Sequence, residues 1–224
     1  MKPKRALHLG LILWLGLQVS GCAWFQPKEE QTAQDLAHEG MEAFRHKNYI
    51  RSVAAFEKLR DWYPFSKYAI LAELKLGDAH YYLRQYNEAI VAYEAFESLH
   101  PKNEAVPYVV YQIGRCYFDQ LQPVDRDQTA TREALQTFER LIRSYPESPQ
   151  AKKAKVHIRI CQKNLAEHAF YVGRFYYKTK HYKGALERFK TILVSYPDLG
   201  VHYKALHYIA LCKAKIENPA SEPK

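Results

Sequence analysis

The sequence predicts an all-α protein, a superhelical solenoid of about five helix hairpins. Three observations lead to this fold class: a set of residues that recurs at a fixed spacing, apolar positions at helical periods, and a proline that ends each unit. Gly40, Gly77 and Gly114 stand 37 residues apart. Because one short hairpin cannot bury both of its apolar faces, such a repeat predicts that neighbouring hairpins stack on one another.

Residues 76–101 show the repeating unit. Gly77 and Ala89 are small, so two helices can approach closely where they cross. Tyr93 fills the space beside that crossing, and Pro101 ends the second helix because it lacks a backbone N–H. The same residue types recur in the other copies, at Phe56, Pro64, Ala134, Phe138, Pro146, Gly173, Ala185, Phe189 and Pro197.

This order of Gly, Ala, aromatic and Pro resembles the tetratricopeptide repeat, whose unit is about 34 residues. The pattern predicts helices over residues 31–47, 49–63, 67–83, 86–99, 104–121, 129–144, 182–195 and 199–216. A polar insertion lengthens the turn of the third copy. Over residues 149–180, apolar residues continue at helical spacing, which predicts either two helices joined near Asn164–Glu167 or one nearly continuous helix. Ser66, Asn103 and Ser148 follow three of the prolines by two residues and are predicted N-caps.

The N-terminus has the pattern of an export signal. Basic residues at positions 2, 4 and 5 precede an apolar run over 6–19, which is short for a membrane span of roughly 20 residues. The run ends in Val19-Ser20-Gly21-Cys22, which resembles the bacterial lipobox. We therefore expect a lipoprotein signal peptide over residues 1–21 and a lipid-modified Cys22. The alternative is an ordinary signal peptide with a chance cysteine.

The remaining boundaries follow from these ends. Residues 22–30 are predicted as a membrane-proximal linker, 31–216 as the repeat domain and 217–224 as a disordered tail. Position 2 of the mature chain is Ala23 rather than Asp. By resemblance to enterobacterial sorting, this residue favours the outer membrane over the inner membrane.

The sequence contains no catalytic motif of the HExxH, GxSxG or phosphate-loop type, so we predict that the protein is not an enzyme. His157 and Cys161 lie one helical turn apart, but no second ligand pair follows, so a metal site is not expected. No cofactor is expected other than the N-acyl and S-diacylglycerol lipid on Cys22.

The three further cysteines leave two alternatives open. Cys116, Cys161 and Cys212 allow one disulfide plus a free thiol, or three buried thiols that pack as small apolar residues.

Charge is divided unevenly along the chain. Residues 22–139 hold 13 Lys and Arg against 18 Asp and Glu, whereas residues 140–216 hold 16 against 4. A basic half indicates an acidic protein partner or anionic lipid headgroups, or simply a solvated helical surface. Nucleic acid is excluded as a partner because the chain is predicted to be exported and anchored to a membrane.

In tetratricopeptide solenoids the first helix of each hairpin lines a groove. Counted from the repeat glycine, the groove positions are −6, −3, +1, +4 and +5. The candidate groove residues are Met41, Phe44, Arg45, Leu74, Asp78, Tyr81, Tyr108, Tyr111 and Arg115. Such a surface suits an extended peptide with aromatic side chains, and Arg45 or Arg115 could bind a terminal carboxylate. Alternatively, several of these aromatics pack against the next repeat, with Tyr82 and Phe118 the first expected to do so.

The chain resembles one family in particular, the BamD (ComL) family of outer-membrane lipoproteins. The resemblance rests on the lipobox, on the Tyr-Pro-x-Ser connections at residues 63–66 and 145–148, and on the stretch 165–197. It implies a lipid-anchored protein on the periplasmic face of the outer membrane, within the machinery that inserts β-barrel proteins. It also implies contacts with a BamA-like barrel subunit, with other assembly lipoproteins, and with unfolded outer-membrane proteins.

The resemblance places the barrel subunit on the C-terminal repeats and substrates on the N-terminal ones. The basic residues expected to dock the BamA-like partner are Arg174, Lys178, Lys180, Lys183 and Arg188. The alternative is a different tetratricopeptide lipoprotein, either a pilotin or a coordinator of envelope constriction, since these proteins use the same scaffold.

Overall fold

The computed structural model describes residues 31–218. The predicted signal peptide, Cys22 and the linker lie outside the described residues, as does the predicted tail from residue 219 onward. A compact unit begins at Ala33 and contains every helix described below. Across the described part of the chain, the helices are too short or too polar to cross a membrane.

Every regular element within residues 31–218 is an α-helix, which confirms the predicted class. The helices are α1 (Ala33–Arg45), α2 (Tyr49–Trp62), α3 (Ala69–Tyr82), α4 (Tyr86–Leu99), α5 (Val106–Phe118), α6 (Thr129–Ser144), α7 (Pro149–Lys178), α8 (Tyr182–Ser195) and α9 (His202–Glu217). The predicted bounds of α4, α6 and α8 are confirmed. The predictions for α1, α3 and α5 were too long at both ends, because the flanking residues lie in turns or irregular backbone. Helix α9 starts later than predicted and includes Glu217, which had been assigned to the tail.

Helix α7 is a single helix of 30 residues. It packs on α5, α6 and α8, and so occupies the place of two helices in the repeat. Five hairpins would need ten helices, and this fusion leaves nine in the described chain. Asn164 does not interrupt α7, because its side-chain amide donates to Gln128 Oε1 at 3.0 Å and to Thr131 Oγ1 at 3.3 Å.

Each repeat glycine makes room for an aromatic ring of the following helix. A Cβ atom on Gly77 would lie 2.5 Å from Tyr93 Cε1, and one on Gly40 would lie 2.6 Å from Phe56 Cε1. Gly114 and Gly173 stand in the same relation to Phe138 and Phe189. The close approach predicted from the small residues is therefore that of a ring to a helix backbone, and it fixes how each pair of helices crosses.

Three hairpin turns share one backbone motif that the sequence did not reveal. Lys47, Arg84 and Lys180 adopt left-handed conformations with φ of 59°, 59° and 61°. The backbone N–H of the residue after each of them donates a hydrogen bond to the carbonyl oxygen five residues earlier. Asn48 N–H, for example, donates to Ala43 O at 2.8 Å. This is the Schellman ending of a helix. It reverses the chain in three residues and so sets the antiparallel pairing.

The predicted caps are confirmed in one case of three. Ser148 Oγ accepts from Ala151 N at 3.1 Å and caps α7. The side chains of Ser66 and Asn103 instead accept hydrogen bonds from the backbone N–H groups of Tyr68 and Ala105. Helices α3 and α5 begin one residue after Tyr68 and Ala105, respectively. The prediction was wrong for these two residues because an extra turn separates the proline from the helix.

The core contains the aromatic rings that lie over the glycines, together with the three cysteines. Cys116, Cys161 and Cys212 are buried and unpaired, which confirms their interpretation as small apolar residues and excludes a disulfide among them. Burial raises the pKa of Cys116 and of Cys161 to about 12. These thiols therefore stay protonated at neutral pH.

Candidate peptide groove and docking surface

The first helices of the N-terminal hairpins border an open cavity of about 600 Å³. Helix α1 contributes Gln34, Ala37 and Met41 to its lining, and Tyr68 and Leu71 approach from the side of α3. Four of these residues occupy predicted groove positions, and Met41 is one of the candidate site residues. The structure therefore brings groove positions of two successive repeats around one space of peptide dimensions.

Beside this cavity lies an aromatic cluster formed by Phe44, Tyr49 and Tyr82. The ring of Tyr82 stacks on Tyr49 at 4.9 Å and meets Phe44 edge-on at 5.7 Å. Lys75 Nζ lies 4.9 Å from the centroid of Phe44, which is a cation–π distance. Tyr82 therefore packs against the neighbouring repeat, as expected, and it still exposes 54% of its surface. Arg45 forms an ion pair with Glu42.

Asp78 is the centre of a buried hydrogen-bond network rather than an exposed groove residue. Only 2% of its surface is exposed. Its Oδ1 accepts from the hydroxyls of Tyr93 and Tyr108, both at 2.7 Å, and its Oδ2 accepts from Lys75 Nζ at 2.6 Å. Gln112 Nε2 donates to Tyr108 Oη at 3.2 Å. The network joins α3, α4 and α5, so Asp78 acts on the groove through the tyrosines that it orients.

The pKa values of these tyrosines agree with this arrangement. Burial raises the pKa of Tyr93 and of Tyr108, and the negative charge of Asp78 raises both further. A protonated hydroxyl can donate a hydrogen bond to the carboxylate, which stabilises the buried charge.

One signal in the sequence could have revealed this hydrogen-bond network. The residue over the glycine is Phe in the other three copies but Tyr93 in this one, and its hydroxyl requires a buried acceptor.

Arg115 and Tyr81 form a second network with Asp119. Arg115 Nη2 donates to Tyr81 Oη at 2.7 Å and lies 3.2 Å from Asp119 Oδ2, and the Tyr81 hydroxyl also donates to Asp119. Burial raises the pKa of Tyr81, and its hydrogen bond to Asp119 adds to the increase. The guanidinium of Arg115 thus already has a carboxylate partner, in the residue that directly follows its own helix.

Tyr111 and Leu74 are placed mainly in packing contacts. Tyr111 exposes 8% of its surface, and its hydroxyl lies 3.1 Å from His157 Nε2. The ring of Phe118 lies 4.4 Å from that of His157, as expected for a structural residue. Burial, followed by the charge of Arg115, lowers the pKa of His157. Leu74 packs against the central core cluster.

The five predicted docking residues are all exposed, but the structure does not bring them together in one cavity. Lys180 and Lys183 line a cavity of about 390 Å³ together with Lys215, at the turn between α7 and α8. Arg174 instead faces α9 and lines a separate cavity. Lys178 and Arg188 lie on α7 and α8, respectively.

Comparison with known proteins agrees with this architecture. Residues 29–222 match the model of the family YfiO, described as "Outer membrane lipoprotein". The chain is 32% identical over 180 residues to the outer membrane protein assembly factor BamD of Caulobacter vibrioides, covering 78% of this chain but 59% of that protein. It is 30% identical to the BamD of Neisseria gonorrhoeae, covering 93% and 85% of the two chains.

A solved structure supports the repeat fold. The TPR2AB-domain:pHSP90 complex of yeast Sti1 superposes with a TM-score of 0.50 at 12% identity, covering 82% of this chain and 70% of that one. At this identity the similarity bears on the fold alone, and it agrees with a solenoid of tetratricopeptide hairpins. The match to the family model covers the whole described part of the chain, from before α1 to after α9. The chain therefore belongs to the YfiO family of outer membrane lipoproteins.

Proposed function

We propose that this protein is a non-catalytic scaffold of the machinery that assembles β-barrel proteins in the outer membrane. The observation that carries the proposal is the similarity to assembly factors named BamD. The alignment with the BamD of Neisseria gonorrhoeae covers 93% of this chain. A solenoid suits such a role because its stacked hairpins present long surfaces to several partners at once.

The two ends of the repeat domain have different tasks in this proposal. The C-terminal helices hold a BamA-like barrel subunit through Arg174, Lys178, Lys180, Lys183 and Arg188. Their exposure, together with 16 basic against 4 acidic residues over 140–216, supports an acidic partner surface. Other assembly lipoproteins bind elsewhere on the same scaffold.

The N-terminal repeats bind unfolded outer-membrane proteins. The cavity beside Met41 and the exposed ring of Tyr82 support this assignment, since aromatic and apolar side chains of an extended peptide can pack there. The proposed groove comprises Met41, Phe44, Arg45, Leu74, Asp78, Tyr81, Tyr108, Tyr111 and Arg115, of which Asp78 and Tyr111 support the lining from beneath.

The membrane contact in this proposal is a lipid anchor on Cys22. Several acyl chains together hold a protein stably, because each buried CH₂ group contributes about 0.8 kcal/mol. The anchor places the repeats on the periplasmic face of the outer membrane. The Val-Ser-Gly-Cys sequence at residues 19–22 supports this location.

Site-specific photocrosslinking in native membranes tests both surfaces at once. A benzoylphenylalanine at Tyr82 should capture unfolded outer-membrane proteins. The same probe at Thr191, one helical turn from Arg188, should capture the barrel subunit. The matched control is Val91, which is also exposed but lies on α4, the second helix of its hairpin. Captured proteins are identified by mass spectrometry.

The two crosslinking positions test the docking surface and the N-terminal groove separately. If position 191 captures no barrel-forming protein, the docking assignment is wrong. If positions 82 and 91 capture the same proteins with equal yield, the N-terminal groove has no special role in substrate binding.

A further inference from the structure

A cavity of about 410 Å³ lies between α7 and α9, and we call it the C-terminal pocket. Six side chains line it: Phe170, Arg174, Tyr203, Lys204, His207 and Tyr208. Phe170 and Tyr208 form a rigid aromatic wall, since their rings meet edge-on at 5.5 Å and both pack on the buried ring of Phe189. Tyr203 exposes 82% of its surface at the rim.

The rim is also cationic and lacks acidic neighbours. Arg174 and Lys204 carry positive charges, and His207 adds a third basic side chain. Within residues 31–218, neither Arg174 nor Lys204 forms an ion pair with a carboxylate. An aromatic wall beside unpaired cations is a combination suited to an anionic group attached to an apolar one.

Comparison with Arg115 explains why these charges are unpaired. Arg115 and Arg174 both follow the repeat glycine by one residue, at Gly114 and Gly173. Four residues after Arg115 stands Asp119, which pairs with it at 3.2 Å. Four residues after Arg174 stands Lys178, which repels it instead. The same repeat position is thus neutralised in one hairpin and available in the other.

From this geometry we infer that the C-terminal pocket binds a carboxylate side chain of an acidic peptide segment, with a neighbouring aromatic or apolar residue packed on Phe170 and Tyr208. The planar guanidinium of Arg174 can hold the carboxylate by two parallel N–H donors. Lys204 and His207 surround the same space from α9. The inference deepens the docking proposal, on which it rests for the identity of the partner, by naming the chemistry that the partner must present.

The test measures binding of a fluorescein-labelled peptide to the detergent-solubilised full chain by fluorescence polarisation. The probe is a short acetylated and amidated peptide that alternates Glu with Phe and Ser. A twin peptide carries Gln in place of each Glu. We expect the Glu peptide to bind at least about tenfold more tightly, and its affinity to fall as salt is added.

Variants locate the binding site. Arg174→Glu should weaken binding of the Glu peptide about tenfold or more, and Arg174→Lys should weaken it less, because the charge remains but the bidentate geometry is lost. The matched control is Arg159→Glu, the same charge reversal at an exposed position of the same helix. It should leave the affinity nearly unchanged. Circular dichroism confirms that each variant is folded.

Three results would overturn the inference: equal affinity for the two peptides, equal losses for Arg159→Glu and Arg174→Glu, or Arg174-dependent binding to phosphatidylglycerol vesicles with none to the peptide. The last result would assign the pocket to lipid headgroups. Failure of the docking proposal is distinguishable, because crosslinking from position 191 reports the barrel subunit and does not depend on peptide affinity.

Discussion

The N-terminal groove and the C-terminal pocket both contain an arginine that directly follows a repeat glycine, yet their polar groups are used differently. In the N-terminal half, Asp78 is satisfied by Lys75 and two tyrosines, and Arg115 is paired with Asp119. In the C-terminal pocket, Arg174 has no acidic partner among the described residues. The residue type at a repeat position therefore does not decide its role. The residues one turn away decide whether a charge holds the scaffold together or is left for a partner.

This comparison requires that both regions be built on an equally well packed scaffold. Phe56→Ala and Phe189→Ala each remove a fully buried ring that lies over a repeat glycine. Each should lower the free energy of unfolding by about 3–5 kcal/mol. Urea unfolding followed by circular dichroism measures the loss.

Phe65→Ala is the control for these two substitutions, since Phe65 is fully exposed in a connection, and it should change stability by less than about 0.5 kcal/mol. A loss at Phe189 as small as that at Phe65 would mean that the C-terminal hairpin does not share the packing of the others. The difference between groove and pocket would then reflect disorder rather than chemistry.

The second test concerns the buried network of the N-terminal half. Asp78→Ala leaves two tyrosine hydroxyls without their acceptor and should cost about 1–3 kcal/mol of stability. Adding Tyr93→Phe should recover part of that loss, because it removes one of the unsatisfied hydroxyls. Chemical unfolding of the single and double variants gives both values.

Asp61→Ala provides the matched control, since it removes an exposed carboxylate that pairs with Arg60 on the surface. Such a pair contributes about 0–1 kcal/mol. If Asp78→Ala costs no more than Asp61→Ala, Asp78 is not structural, and it returns to the list of residues that could contact a peptide directly.

Much of the fold could be predicted because it depends on residues with strong local preferences. The glycine, the aromatic residue and the proline of each hairpin recur at fixed distances, and the helices between them followed. The sequence left two alternatives for α7, two helices joined near Asn164–Glu167 or one nearly continuous helix. The choice between them depends on contacts with the neighbouring hairpin, since the Asn164 amide donates to Gln128 and Thr131. The Schellman turns at Lys47, Arg84 and Lys180 were missed because a non-glycine residue gives no sign of a positive φ.

The candidate site was predicted less completely than the fold. Counting from the repeat glycine placed Met41, Leu71 and Ala37 correctly around one cavity. Counting could not show that Asp78 is buried or that Arg115 is already paired, because these facts depend on contacts between hairpins. Tyr108 and Asp78 are 30 residues apart and meet only after α3 and α5 have packed. The C-terminal pocket was missed for the same reason, since four of its six lining residues lie on α9.

The smallest expected effect discriminates most directly between the two regions. Arg115→Ala removes hydrogen bonds to Tyr81 and Asp119 and should cost about 0.5–1.5 kcal/mol of stability. Arg174→Ala removes an exposed cation from a basic surface, so its effect should stay within about 0.5 kcal/mol of zero. Parallel urea titrations of the two variants measure the difference. A cost at Arg174 equal to that at Arg115 would require an internal partner for Arg174, and the pocket would then have no free charge to offer. If only Arg115 is costly, the two arginines have separate roles, because one stabilises the solenoid and the other remains available for a carboxylate from outside.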